Sequence, residues 1–142
     1  REMLAKRMAP VAAGEEGAEA AEASEPRESK AESAAGGLAG MLNSPLVKTM
    51  LAGGDANVGR IAAAVGASTA RFDPDKLEIH IQRQRVVAGG RAVPLSAAAV
   101  RTLLRRPEVD VRIHLHAGFA SDRMATCDLT TEYVRINAGY AT

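Results

Sequence analysis

Residues 77–90 read Leu-Glu-Ile-His-Ile-Gln-Arg-Gln-Arg-Val-Val-Ala-Gly-Gly and carry the clearest secondary-structure pattern of the chain. Apolar and polar side chains alternate from Leu77 to Gln82, which is the period of a β-strand with one buried face. Residues 84–88 follow almost directly and can pair with that strand, and Gly89-Gly90 is typical of a turn. The stretch therefore predicts an antiparallel hairpin.

The sequence on both sides of the hairpin predicts short helices and further strands. Asn43 or Ser44 can cap a helix that has Pro45 in its first turn, and Ser96 can cap another that ends before Pro107. The predicted helices cover 45–52, 60–65 and 97–106. The predicted strands after the hairpin cover 109–115, with one or two more at 125–128 and 132–136. This order indicates an α+β fold, a mainly antiparallel sheet with helices on one face, preceded by an acidic flexible segment.

The first part of the chain differs in composition from the rest. Residues 12–37 contain no Val, Ile, Leu, Met or aromatic residue and hold seven glutamates. Such a segment has little to bury and cannot repay the entropy of ordering it. We expect a degenerate or flexible Ala/Glu-rich segment at 1–42, with a short helix within 1–11, and an α+β domain at 43–142.

Charge and composition exclude several functional classes. Eighteen basic and 17 acidic residues give a net charge of +1, which argues against an electrostatic nucleic-acid binder. No apolar run is long enough to span a bilayer, so no membrane partner is expected. The single cysteine cannot form an internal disulfide, which favours a reducing compartment. Arg1 in place of Met predicts a fragment or a processed chain.

Three kinds of side chain are candidates for chemistry. His80, His114 and His116 lie on predicted strands, but no carboxylate at a suitable spacing completes a metal-ligand set, so we expect solvent-facing histidines and no metal. Cys127 lies in a predicted strand and is interpreted as a small core residue. The glycine-rich run at 53–60 lacks the lysine of a phosphate-binding loop and is interpreted as a tight connection.

The C-terminal residues are more informative. Apolar and hydrogen-bonding residues continue to Thr142, and a terminus of this composition is normally docked. Two interpretations stay open. In the first, Tyr133, Ile136 and Tyr140 simply pack; in the second, the terminus also places Asn137 and the Thr142 carboxylate and hydroxyl in a polar site.

Several motifs occur in order over roughly 33–142. They are Ser44-Pro45-Leu46-Val47-Lys48-Thr49, Gly54-Asp55-Ala56-Asn57-Val58-Gly59-Arg60-Ile61, Ala64-Val65-Gly66, Phe72-Asp73-Pro74, Cys127-Asp128-Leu129-Thr130, Tyr133-Val134-Arg135-Ile136-Asn137-Ala138, and Tyr140 with Thr142. Together they resemble the C-terminal part of ornithine acetyltransferase, the bifunctional glutamate N-acetyltransferase of arginine biosynthesis. The terminal motif is the most specific of them.

The resemblance implies an acyltransferase. Members of the family cleave themselves into an α chain and a β chain, and the new N-terminal threonine of the β chain carries acetyl from N-acetylornithine to glutamate by ping-pong transfer. Some members use acetyl-CoA as a co-substrate, and no other cofactor is implied. The assembly implied is α₂β₂, in the cytoplasm or, in a eukaryote, in an organelle matrix.

The resemblance also assigns site residues one by one. Asn137 and Thr142 match two substrate contacts of the family, and Glu16 is a weak match to a third, because the expected Thr-Lys after Gly17-Ala18 is missing. Thr49 imitates the nucleophile motif, but Lys48 precedes it and its context matches a different family motif. The nucleophile is therefore expected outside this segment, which is predicted to be inactive alone.

Other departures weaken the assignment of activity. The resemblance implies a proline and a tryptophan where Ala56 and Val58 stand, and an arginine and a tryptophan where Ala117 and Ala125 stand. A competing hypothesis is a truncated, non-catalytic α+β remnant that acts only as a structural or partner-binding module.

Overall fold

A computed structural model of the chain describes residues 7–9, 39–55, 57–117 and 121–139. Its centre is a five-stranded sheet in the order β1-β5-β2-β3-β4. The strands are β1 (Arg7–Ala9), β2 (Glu78–Ile81), β3 (Gln84–Ala88), β4 (Arg91–Ala92) and β5 (Glu108–His114). Every pairing is antiparallel except that of β1 with β5, which is parallel. The mainly antiparallel α+β class is therefore confirmed.

The predicted hairpin is formed by β2 and β3. Ile79 pairs with Val87 and His80 with Arg85, so the register shifts between the two pairs and Val86 is bulged. A bulge places an extra residue on one strand and breaks the alternation of faces. Val86 and Val87 are both buried for this reason.

The three predicted helices are present with small differences at their ends, and two further α-helical segments of the described residues were not predicted. The helices are α1 (Pro45–Gly53), α2 (Gly59–Gly66), α3 (Ala97–Leu104) and α4 (Thr131–Ala138), and residues 39–43 are also helical. Ser96 Oγ accepts a hydrogen bond from the Ala99 amide at 3.1 Å, and Ser44 Oγ one from the Val47 amide at 3.5 Å. Both serines are thus the predicted caps.

The core lies between one face of the sheet and helices α1, α2 and α3. Ile79 faces Ile113 and Ile81 faces Val111 across β2 and β5, and all four side chains are almost fully buried. Each of the three helices adds buried apolar residues to the same cluster. The alternate positions of β2 and β5 are polar and form the opposite face.

The two strands predicted at 125–128 and 132–136 are wrong. Residues 123–130 have no regular secondary structure, and 131–138 form α4. Tyr133, Val134 and Ile136 favour a strand by propensity. Three local interactions favour the helix instead: the Thr130 cap, an ion pair between Glu132 and Arg135, and a hydrogen bond from Asn137 back to Tyr133.

The short helix predicted within 1–11 is wrong for residues 7–9, which form β1 against β5. This pairing joins residues about a hundred positions apart, for example Arg7 and Glu108. The local sequence pattern cannot predict a pairing between segments so far apart in the chain. Met41 and Leu42 belong to the core, so the packed region includes residues before Asn43. The acidic tract at 12–37 lies outside the described residues, and the division at 42/43 stays a prediction.

Within the described residues, none of the helices is both long enough and apolar enough to cross a bilayer.

Candidate functional site

Asn137 is the predicted substrate contact that the structure describes, and it lies in the last turn of α4. Its side chain is exposed, and Nδ2 donates to the Tyr133 carbonyl one turn earlier at 2.8 Å. An amide nitrogen has two hydrogens and the amide oxygen has two lone pairs. Among the described residues, one donor hydrogen and the Oδ1 acceptor of Asn137 therefore remain without a partner.

Local contacts hold α4 in shape. Thr130 Oγ1 accepts from the Tyr133 amide at 3.0 Å, which caps the first turn. Arg135 Nε and Nη2 donate to the two carboxylate oxygens of Glu132 at 2.8 and 2.6 Å. The guanidinium of Arg135 lowers the pKa of Glu132, and the carboxylate in turn raises the pKa of Arg135. Both side chains are exposed, so this pair orders the helix surface and adds little stability.

The segment before α4, and not α4 itself, makes the described contacts with the rest of the molecule. The Leu129 amide donates to the Lys48 carbonyl of α1 at 3.3 Å, and Met124 packs against the core. No residue of α4 is buried, and Tyr133 and Val134 are 40% and 51% exposed. Tyr133 is therefore exposed and Ile136 half-buried within the described part of the chain, and packing of the terminus stays one of two open interpretations.

The other two predicted substrate contacts, Glu16 and Thr142, lie outside the described residues, as does Tyr140. Their assignment to the site stays a prediction.

The polar face of the sheet carries the three histidines around Glu78. His80 Nε2 lies 3.6 Å from one Glu78 carboxylate oxygen, and His116 Nε2 lies 3.9 Å from the other. The His80 and His114 rings meet edge to face with their centroids 5.3 Å apart, and the His114 and His116 centroids are 6.1 Å apart. The fold thus brings together histidines that the sequence places on separate elements.

Burial lowers the pKa of His114, and its neighbour His80 lowers this pKa further, while the Glu78 carboxylate opposes the shift. This shift of the pKa favours the neutral form of His114. Within the described ranges, no three His, Cys, Asp or Glu side chains are placed to hold a metal ion together.

Thr49 has the geometry of a structural helix residue. Its Oγ1 lies 2.8 Å from the Pro45 carbonyl and 3.2 Å from the Leu46 carbonyl, within the same helix. A threonine nucleophile of the N-terminal type is activated by its own free amine. The nitrogen of Thr49 is a peptide nitrogen inside α1, so that amine does not exist here.

Cys127 and the glycine-rich run have simpler surroundings. Cys127 is a half-buried free thiol in the irregular segment 123–130, so the strand predicted for it is wrong. Gly54 ends α1 in the left-handed conformation, with a φ of 61°. Asp55 and Arg60 form an ion pair of 3.7 Å across the connection to α2. This agrees with its interpretation as a tight connection.

Sequence reasoning missed an arginine groove at one end of the sheet. The groove has a volume of about 660 Å³ and is lined by Gln82, Arg83, Gln84, Leu103, Arg106, Asp110 and Arg112. Its residues come from the β2–β3 turn, the end of α3 and β5. The alternation of apolar and polar residues along β5 puts Asp110 and Arg112 on the polar face of the sheet. This alternation is the only part of the groove that the sequence pattern could have predicted. The convergence of the other two arginines depends on tertiary structure.

The comparisons with known proteins agree with one another. The model of the ArgJ family matches residues 2–142. The arginine biosynthesis bifunctional protein ArgJ of Bradyrhizobium diazoefficiens is 46% identical over 99 residues, which cover 69% of this chain and 24% of the relative. The protein of the same name from Methylococcus capsulatus is 46% identical over 102 residues, covering 70% of this chain and 25% of the relative.

A solved structure has the same fold. The crystal structure of the arginine biosynthesis bifunctional protein ArgJ from Bacillus halodurans superposes with a TM-score of 0.76 at 28% identity, covering 95% of this chain and 58% of that chain. The chain spans about a quarter of the length of the curated relatives from Bradyrhizobium diazoefficiens and Methylococcus capsulatus.

Proposed function

Since the chain belongs to the ArgJ family, we propose that it is the C-terminal part of a glutamate N-acetyltransferase of arginine biosynthesis. The reaction moves acetyl from N-acetylornithine to glutamate. Its two half-reactions share an acyl-threonine that lies outside these residues. The observation that carries the proposal is the family match over residues 2–142, together with 46% identity to relatives named as bifunctional arginine biosynthesis proteins.

The role proposed for this segment is substrate binding. An amino-acid substrate presents a carboxylate and an amine, and each needs polar partners, because an unpaired buried polar group costs about 1–3 kcal/mol. Asn137 supports this role with an unpartnered Oδ1 among the described residues and one spare amide hydrogen. Thr142 would add a hydroxyl, and Glu16 is a weaker third contact.

The nucleophile belongs to the proposed remainder of the enzyme. Thr49 is engaged with backbone carbonyls inside α1 and has no free amine, which supports its exclusion. The partners of the chain are then the α chain and the rest of the β chain, in an α₂β₂ assembly in the cytoplasm. Acetyl-CoA is a second acetyl donor in this proposal, and no bound cofactor takes part.

The exposed face of α4 supports dependence on a partner. Tyr133 and Val134 lie on a helix that buries none of its residues within the described part of the chain. A non-catalytic binding module would show the same exposure, so it is the second candidate. Activity distinguishes an acetyltransferase segment from a non-catalytic binding module, since only the acetyltransferase segment contributes to turnover.

The experiment is to replace the corresponding region of an active ArgJ enzyme with residues 43–142 of this chain. We expect the chimera to transfer acetyl from N-acetylornithine to glutamate, whereas the chain alone gives no turnover. A chimera that folds and assembles, as judged by its mass in solution and its melting temperature, but gives no turnover contradicts the proposal and favours the binding module.

A further inference from the structure

The geometry points to the arginine groove as a binding site for a small phosphate monoester. The groove lies at the end of the sheet where the β2–β3 turn meets the start of β5, and it does not include Asn137 or any other residue placed in the acyl-transfer site. The inference therefore stands apart from the proposed function.

The groove carries excess positive charge. Arg112 donates through Nε and Nη2 to Asp110 Oδ2 at 3.2 and 3.0 Å, so one carboxylate offsets one guanidinium. Arg83 and Arg106 make no ion pair or side-chain hydrogen bond with any residue in the described ranges. Two uncompensated guanidinium groups therefore line the same cavity, and this arrangement favours an anion of two charges.

The fold fixes the backbone positions of Arg83 and Arg106. Gln82 takes the left-handed conformation, with a φ of 58°, and its amide donates to the Asp110 carbonyl at 2.6 Å. Its side-chain Nε2 donates to the Glu108 carbonyl at 2.9 Å. These bonds tie the turn that carries Arg83 to β5. Arg106 stands between the end of α3 and Pro107, and a residue before proline is restricted to extended conformations.

The chemistry of the lining selects the ligand class. A phosphate monoester carries about −1.5 to −2 charge at pH 7 and three acceptor oxygens, which match the planar guanidinium donors. Leu103 supplies a half-buried apolar wall for the organic part of the ester. The only carboxylate of the lining, Asp110, is paired with Arg112 through Oδ2, and its Oδ1 is buried, so a neighbouring guanidinium offsets the negative charge that would oppose the ligand.

The test is calorimetric titration of the full 142-residue chain with phenyl phosphate, inorganic phosphate and glutarate. We expect saturable binding of phenyl phosphate that is tighter than that of inorganic phosphate or of glutarate, a dicarboxylate. The double substitution Arg83→Gln and Arg106→Gln should weaken binding at least about tenfold. Asp110→Asn should strengthen it at least about threefold, since it adds one net positive charge to the groove.

The matched control is Arg91→Gln with Arg123→Gln, two exposed arginines outside the groove that give the same change in net charge. It should change affinity less than about twofold, because neither arginine lines the groove. Non-saturable binding, or equal weakening by both double variants at unchanged melting temperature, would overturn the site. Equal or tighter binding of inorganic phosphate or glutarate would overturn the ligand class.

Discussion

At the scale of single residues, Asn137 shows how one side chain can serve a helix and a ligand together. Its Nδ2 donates within α4, while its Oδ1 has no partner among the described residues. The hydrogen bond within the helix restricts the rotamer, so that the free oxygen has a defined direction. The role in substrate binding is a proposal that depends on this free oxygen.

Replacing Asn137 with alanine in the chimera should lower kcat/KM by about tenfold to a hundredfold, because a hydrogen bond to a charged group contributes about 1.5–3 kcal/mol. The melting temperature should change little, because the position is exposed and alanine favours a helix. Asn43→Ala, also at an exposed asparagine, is the control and should leave the kinetics unchanged. Lower stability with intact kinetics would make Asn137 structural.

His114 gives a pH dependence of stability. Because burial and His80 lower its pKa, the unfolded chain binds a proton more readily than the folded one. The free energy of unfolding should therefore fall as the pH drops from about 7.5 to below the ordinary histidine value of about 6.5. His114→Gln should reduce this fall. The direct measurement is an NMR titration of the His114 ring, and a midpoint at or above 6.5 would contradict the account.

At the scale of elements, backbone conformation sets the turns around the sheet. Gly90 has a φ of 70°, and a Cβ there would collide with the Pro74 carbonyl of the neighbouring 3₁₀ turn. The glycine therefore permits close approach of the β3–β4 turn to the segment before β2. The Gly90 amide uses this proximity, donating to the Leu77 carbonyl at 2.9 Å.

Gly90→Ala should lower the free energy of unfolding by about 2 kcal/mol or more, since the left-handed conformation alone costs about 1–2 kcal/mol for a residue with a Cβ. Gly53→Ala is the matched control, because that glycine lies in α1 with no atom within 4 Å of an added Cβ. Alanine there should be neutral or stabilising. Urea unfolding measures both, and equal effects would refute the steric argument.

The cap of α3 provides a second prediction for an element. Ser96→Ala removes the acceptor for the Ala99 amide and should cost about 1 kcal/mol. Ser96→Asp preserves an acceptor at the cap and should restore most of this loss. If both variants are equally unstable, the serine contributes through something other than capping.

At the scale of the whole molecule, the spacing of apolar residues along the sequence predicted those strands and helices that bury one face against the core. The alternation in β2 and β5 and the capped apolar runs of α1 and α3 all predicted structure that the fold contains. The strand expected at 132–136 is wrong, because none of its β-branched and aromatic residues is buried and short-range polar contacts decide the conformation there. The parallel pairing of β1 and the arginine groove both depend on contacts between distant segments, which no local window contains.

The proposal that the nucleophile lies outside this chain is tested most directly by locating the acetyl group in the chimera. The enzyme is incubated with N-acetylornithine in the absence of glutamate, digested, and its peptides are analysed by mass spectrometry. We predict one acetylated threonine, located outside the residues of this chain, and full turnover after Thr49→Ala. Acetyl on Thr49, or loss of turnover in a folded Thr49→Ala variant, would contradict it and make Thr49 the nucleophile.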